Sequence, residues 1–188
     1  MPACDHESVT DPLSTVIAAW DRESSREIIE LTALLTDYHL QTEAEKGVPV
    51  ASVQALPGKY LAELVDPRGV FAEDEVLIAH REGRAAGCLV ITPRRERTLE
   101  IKRLWTDPDH RGRRVATSLL DAARDHAVRI GAEEIRLSVW EWRADAIALY
   151  EKNGFAETTR GEEREQLVCM ARTVQIDEQH SSSPPCSE

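Results

Sequence analysis

The chain has 188 residues, 41% of them apolar and 30% charged, which suits one well-filled globular domain and leaves too little for two generous ones. A formal net charge of −11 argues against a protein that grips nucleic acid over its whole face, and it makes a cationic ligand easier to attract than an anionic one. No run approaches about 18 uninterrupted apolar residues, and the opening MPACDHESVTDP lacks a charged-then-apolar leader, so the expectation is a soluble cytoplasmic protein without a membrane segment.

Residues 1–13 and the ending 177–188 (DEQHSSSPPCSE) are polar and nearly free of aromatic or β-branched residues, and are predicted as disordered tails around a domain of 14–176. Within that domain STVIAAW reads as a first strand. DRESSREIIELTALLTDYHLQTEAEKG reads as a helix, because Ile28, Leu31, Leu35 and Tyr38 recur at three- and four-residue steps and Gly47 supplies a stop. VQALPGKYLAELVDPRG is a short helical or loop stretch broken by Pro57-Gly58 and Asp66-Pro67. EVLIAH and RAAGCLVI flank the polar turn REG as a hairpin, and TLEIKRLWT follows as another strand.

From Arg113 onward Val115, Ala116, Leu119, Leu120, Ala123, Ala127 and Ile130 keep a helical face that Gly131 ends. EIRLSVW is then a buried strand, ADAIALYEKNG a short helix closed by Gly154, and FAETT and EQLVCMART two last strands. Antiparallel strands first, then strand, helix, strand, helix, strand, make an α/β fold on one central mixed, mostly antiparallel sheet flanked by helices.

The cysteines Cys4, Cys88, Cys169 and Cys186 lie far apart without C-x-x-C spacing, and are read as reduced and non-catalytic. His6, His39, His80, His110, His126 and His180 form no pair at metal-ligand spacing, so no metal is expected.

The chemistry concentrates in DPDHRGRRVATSLL. A strand feeding a loop and then a helix N-terminus is an anion site, because the first N–H groups of a helix have no intrahelical acceptor and its dipole favours negative charge. Gly112 lets the backbone approach a ligand closely, and Arg111, Arg113 and Arg114 add charge-assisted donors for phosphate. Basic residues are unfavourable at a helix start, which is itself a reason to expect an anion there; an arginine-rich solvated turn is the bland alternative. His110, beside this loop, is read as a bystander.

The order EIKRLWTDPDHRGRRVATSLL, LSVW, ADAIALYEKNGF resembles the GNAT superfamily of acyl-CoA-dependent N-acetyltransferases over roughly residues 15–173, and LPGKY with EIKRL is similar to a bacterial subgroup of it. The resemblance implies acetyl-CoA as cosubstrate, no metal, and acetylation of an amine. The family's loop R/Q-x-x-G-x-G/A, which takes the pyrophosphate of coenzyme A, is matched at its ends by Arg111 and Ala116, with Arg114 where glycine is usual. Gly112, Arg113, Val115 and Thr117 belong to the same implied cofactor site.

By position the main chain of Leu104, Trp105 and Thr106 is implied to receive the thioester carbonyl and pantetheine amides, beside a strand bulge near the end of TLEIKRLWT. Tyr150, of the Leu149-Tyr150 pair before Gly154-Phe155, is implied as the general acid that protonates the departing thiolate; an ordinary helix residue packed on the sheet is the alternative. Arg143 stands where relatives carry Asn, and Arg143, Ala146 and Lys152 complete the implied cofactor contacts.

A protonated amine must lose a proton before it attacks. Glu100 is the first candidate for that base, directly or through water, since alternation puts it on one strand face with Lys102 and Leu104; Glu141 is the second. Either carboxylate reads equally as a salt-bridge partner. Lys102 and Arg103 are strand-edge charges or cofactor contacts. Trp140 either stacks on the acceptor or packs, as does Trp142, and Tyr60 lies where the family places a substrate wall.

The expected activity is direct acetyl transfer to a primary amine of a small molecule, with a protein N-terminus or lysine as the neighbouring alternative. A non-catalytic coenzyme A-binding module, or a nucleic-acid binder using HRGRR, would be functions of a different class. A homodimer is the family-level expectation.

Overall fold

A computed structural model gives the fold and describes residues 14–48, 50–159 and 166–175. Seven strands form one mixed sheet in the order β1-β2-β3-β4-β5-β7-β6, with β1 Val16–Ala19, β2 Glu75–Arg81, β3 Arg84–Pro93, β4 Thr98–Thr106, β5 Glu134–Trp140, β6 Ala156–Glu157 and β7 Leu167–Thr173. The helices are α1 Ser25–Glu45, α2 Gly58–Val65, α3 Pro67–Val70, α4 Val115–Arg129 and α5 Ala144–Lys152. β4 and β5 run parallel, with α4 as the crossover between them, whereas β1/β2, β5/β7 and β6/β7 are antiparallel. The predicted tails, 1–13 and 177–188, lie outside the described residues. Among the described residues no helix is long and apolar enough to cross a membrane.

The described residues form two compact units, one within Met1–Val90 and Arg103–Leu119, the other within Ile91–Lys102 and Leu120–Glu188. In the first, α1 starts at Ser24, whose hydroxyl accepts from the Glu27 N–H at 3.3 Å. Glu27 in turn accepts from the Asp21 N–H at 2.8 Å, so the chain entering the helix is held as well as the helix start. The inward stripe of α1 begins apolar, at Leu31, Leu34 and Leu35, and continues polar, at His39, Thr42 and Glu43, all buried. Leu31, Leu34 and Leu35 pack with Trp20, Leu56, Leu64, Phe71, Ile78, Cys88, Val90 and Trp105. The turn between β2 and β3 takes both Glu82 and Gly83 into positive φ, at 52° and 73°, the conformation that matches the twist of a tight hairpin.

The second unit has its own buried set, including Leu99, Ile101, Ala123, Ala127, Ile135, Leu137, Phe155 and Met170. Thr98–Ile101 of β4 pair with Glu134–Leu137 of β5, and β5 pairs on its other edge with β7 from Glu134↔Thr173 to Trp140↔Leu167. The polar turn PRRER becomes a tight link in which Glu96 and Arg97 both have positive φ. Arg97 closes it by donating to the Gly131 carbonyl at 2.7 Å and to Glu133 at 2.5 Å.

Candidate active site

The last third of β4 and the loop after it are built from small departures from regular backbone. Arg103 has φ +53° in the middle of the strand, a left-handed conformation that costs a residue with a Cβ about 1–2 kcal/mol and persists only where neighbours enforce it. Just beyond it, β3 comes close. A Cβ on Gly87 would lie 2.5 Å from the Trp105 carbonyl oxygen and 3.0 Å from a Val115 methyl, so only glycine lets β3, the end of β4 and the first residue of α4 meet. The Asp107 N–H donates to the Ala86 carbonyl at 3.0 Å, and the Asp107 side chain caps the turn Pro108–His110 by accepting from the Asp109 N–H at 2.8 Å.

The arginine loop follows. Gly112 has φ +72° and open space where a Cβ would be, and Arg114, at the position where the resembled motif has glycine, has φ +64°. Arg114 therefore bears the strain that glycine avoids at such a φ. The bond from Ser118 N–H to the Arg114 carbonyl at 2.9 Å opens α4, so the N–H groups of Val115, Ala116 and Thr117 precede its ladder. Arg111 lies 5.1 Å above the Trp105 ring and donates to Gln41 at 3.2 Å, while Arg113 reaches Glu82 only at 3.8 Å, with both side chains about half exposed. Arg114→Gly is accordingly expected to raise stability by about 1 kcal/mol, read as a higher urea midpoint at unchanged slope; a lower midpoint would show that the arginine side chain itself holds the loop.

The same unit contains a buried polar cluster that no local spacing announces. Glu63 of α2, 5% exposed, receives Nε and Nη2 of Arg103 at 2.8 and 2.6 Å, a bidentate pair, and its Oε2 lies 2.9 Å from His39 Nε2 of α1. His39, 1% exposed, is stacked on Tyr60 at 4.5 Å, and the Arg103 guanidinium lies 5.7 Å from the Tyr38 ring and 5.4 Å from Tyr60. Burial pushes the Glu63 carboxyl up, but the hydrogen bonds and charge of Arg103, with His39, more than offset it and hold the group at about 2. For His39 burial dominates and lowers the pKa, with Glu63 opposing, so the ring is neutral at pH 7. Cys88 donates its thiol to the Arg103 carbonyl at 3.6 Å, and burial pushes that thiol to about 12, where it stays protonated and unreactive. Arg103 is thus neither a free edge charge nor a loose surface residue. A signal for it was present: strand alternation sets Arg103 in line with Leu99, Ile101 and Trp105, and an arginine on an inward face requires a carboxylate.

In the second unit Tyr150 is 8% exposed and meets Phe155 edge to face at 6.0 Å. The turn after α5 is fixed by Asn153, whose side chain donates to the Leu149 carbonyl at 2.7 Å, and by Arg172, which donates to the Asn153 carbonyl at 2.6 Å. Arg143 occupies the N-cap of α5 without a side-chain cap bond, where an asparagine would supply one. Ala146 lies half-buried in the first turns of α5 and Lys152 exposed at its end. Trp140 and Trp142 stack on each other at 4.8 Å, with Glu141 exposed between them in sequence. Glu100 is paired: its Oε2 accepts from Arg94 Nε at 2.6 Å and from Nη2, with Lys102 at 3.6 Å. The first unit carries Tyr60, Leu104, Trp105, Thr106 and the loop Arg111–Thr117, with Arg111 over Trp105. The second carries Glu100 on β4 and, at the end of β5 and on α5, Trp140, Glu141, Arg143, Ala146, Tyr150 and Lys152.

Residues 38–155 match the model of the acetyltransferase (GNAT) family. The chain belongs to the GNAT family. This GNAT chain is 35% identical over 82 residues to an IAA acetyltransferase of Azospirillum brasilense, a stretch that spans 43% of the chain and 54% of that relative. It therefore matches about half the length of that protein. Among solved structures, a GNAT acetyltransferase of Staphylococcus aureus Mu50 superimposes with a TM-score of 0.65 at 15% identity, over 86% of this chain and all of that one (100%). A PaiA N-acetyltransferase of Thermoplasma acidophilum, solved in complex with coenzyme A, gives 0.65 at 20% identity over 85% and 99%. At these identities the likeness is one of fold, and the fold is that of the GNAT acyltransferases.

Proposed function

We propose that the chain transfers acetyl from acetyl-CoA directly to a primary amine of a small molecule. The observation that carries the reading is the loop before α4, where Gly112 and Arg114 both take positive φ immediately ahead of the N–H groups that precede the helix ladder, a turn of backbone suited to a concavity. Such a concavity, with Arg111 and Arg113 beside it, suits a pyrophosphate. The main chain of Leu104, Trp105 and Thr106 would take the thioester, and Arg143, Ala146 and Lys152 the rest of the cofactor arm.

The amine nitrogen attacks the thioester carbon, the C–S bond breaks as the C–N bond stays, and coenzyme A leaves as a thiolate that takes the proton of the Tyr150 hydroxyl. A main-chain donor in the 104–106 segment would stabilise the oxyanion that forms between those events. The proton leaving the amine goes to Glu100, or to Glu141, directly or through water. Arg94 already occupies Glu100 Oε2, so relay through water to solvent suits this carboxylate better than direct abstraction.

Titration calorimetry with acetyl-CoA tests the reading. Binding in the micromolar range is expected, with dephospho-CoA weaker and Arg111→Ala about tenfold weaker for a lost charge-assisted phosphate contact. No binding at millimolar acetyl-CoA would remove the proposal, and binding without thiol release across a broad amine panel would leave a coenzyme A-binding module instead.

A further inference from the structure

We infer that Arg103 anchors a carboxylate of the acceptor, so that the amine acetylated belongs to a small acid with an apolar or aromatic body; this rests on the acetyltransferase reading above. A guanidinium has five N–H donors in a fixed fork. Arg103 commits Nε and Nη2 to Glu63. Among the described residues its Nη1 has no hydrogen-bond partner, and it is not among the buried atoms sealed from solvent. The side chain is 21% exposed, so this outer edge is reachable while the inner edge is locked.

That locking is what makes it an anchor. Two bonds to a buried carboxylate and the nearby rings of Tyr38 and Tyr60 fix the guanidinium, and His39 fixes the carboxylate. A ligand that binds it orders nothing further, which is the usual loss when a flexible surface arginine is engaged. The chemistry around it matches an aromatic or apolar acid. Tyr38 meets Trp105 edge to face at 6.1 Å, giving an aromatic wall continuous with the strand end. The ammonium groups of Lys46 and Lys59 lie 5.5 and 4.8 Å from the Tyr60 ring. Glu63 pairs with Arg103 and Glu43 with Lys46, each at 2.6 Å.

Charges farther than about 8 Å are screened at physiological salt, so the groups in contact decide which ligand is held, whatever the total of −11. Arg103 also immediately precedes Leu104–Thr106, the segment proposed to receive the thioester. In an α-amino acid the amine lies close to the carboxylate, so an acid held at Arg103 keeps its nucleophile beside that segment.

Phenylalanine and phenylalaninamide differ at the acid alone and serve as probes, each measured by calorimetry in the presence and absence of desulfo-CoA and by thiol release with acetyl-CoA. The wild type is expected to prefer the acid by about tenfold or more in both readouts, since a site built to bond a group rejects the analogue without it. Arg103→Lys keeps a cation for Glu63 and loses the outer fork, so it should erase most of that preference while acetyl-CoA affinity changes by less than about twofold. Equal binding of acid and amide, or a preference that survives Arg103→Lys, would overturn the anchor. Acid-selective binding without thiol release, from these probes and across the broad amine panel, would keep the anchor and overturn the acetyltransferase reading instead.

Discussion

Glu63→Ala is expected to lower stability by about 3–5 kcal/mol, because it breaks a buried ion pair from one side only. Arg103 would keep its charge and lose both of its bonds, and His39 Nε2 would lose its acceptor. The native pKa gives a loss of similar size: a carboxyl taken from 4.5 to about 2 corresponds to roughly 3 kcal/mol of preference for the ionised form. The sign follows from the direction. A depressed carboxylate contributes its full stabilisation above its unfolded pKa, near 4.5, and loses it as pH falls toward 2. His39 acts earlier and in the same sense. Its folded pKa lies below the ordinary 6.5, so the unfolded chain binds its proton first and stability declines once pH drops beneath that value. Urea unfolding at pH 7 and at intervals down to pH 3 should therefore show the wild type losing stability in acid, and Glu63→Ala starting lower with a flatter dependence below about pH 4.5. A midpoint at pH 7 within about 0.5 kcal/mol of wild type would mean that the cluster is not what the geometry implies.

How much of this was legible in the sequence depends on the reach of each interaction. β4 and β5 were predicted at their observed limits, 98–106 and 134–140, because alternation along a strand is visible within a few residues. The hairpin at Glu82-Gly83 and the stops at Gly47, Gly131 and Gly154 were readable for the same reason, each glycine adopting positive φ. The start of α4 falls at Val115, after Gly112 and Arg114 have taken left-handed backbone, whereas composition alone placed it at Arg113. VQALPGKYLAELVDPRG resolves into a turn of 3-10 helix and the short helices α2 and α3, too brief for a periodicity to declare. The predicted strand FAETT narrows to Ala156–Glu157. The cluster of His39, Glu63 and Arg103 joins residues 24 and 40 positions apart, so no motif could show it. Alternation set Glu100 on one strand face with Lys102 and Leu104, whereas its partner Arg94, across the turn from β3, emerged only with the fold.

Tyr150→Phe carries the largest kinetic effect: kcat should fall by about a hundredfold or more, the scale of a general acid, while the Kd for acetyl-CoA changes by less than about twofold. Phenylalanine keeps the ring that meets Phe155 at 6.0 Å, so folding is expected to survive and the loss to be chemical. Removing the hydroxyl leaves the departing thiolate without its proton donor, a need that arises as the C–S bond breaks and not on binding; kcat and kcat/KM should then fall together. The partner experiment is Glu100→Gln, with kcat followed from neutral pH upward. An acceptor amine with a pKa near ~10.4 supplies its own free base as pH rises, so a loss that shrinks toward high pH would identify Glu100 as the proton acceptor. A loss that stays constant with pH would leave Glu100 as the ion-pair partner of Arg94 and shift the role to Glu141. An unaltered kcat in Tyr150→Phe would remove the acid role from Tyr150 and leave its ring as packing against Phe155, with protonation of the thiolate left to water.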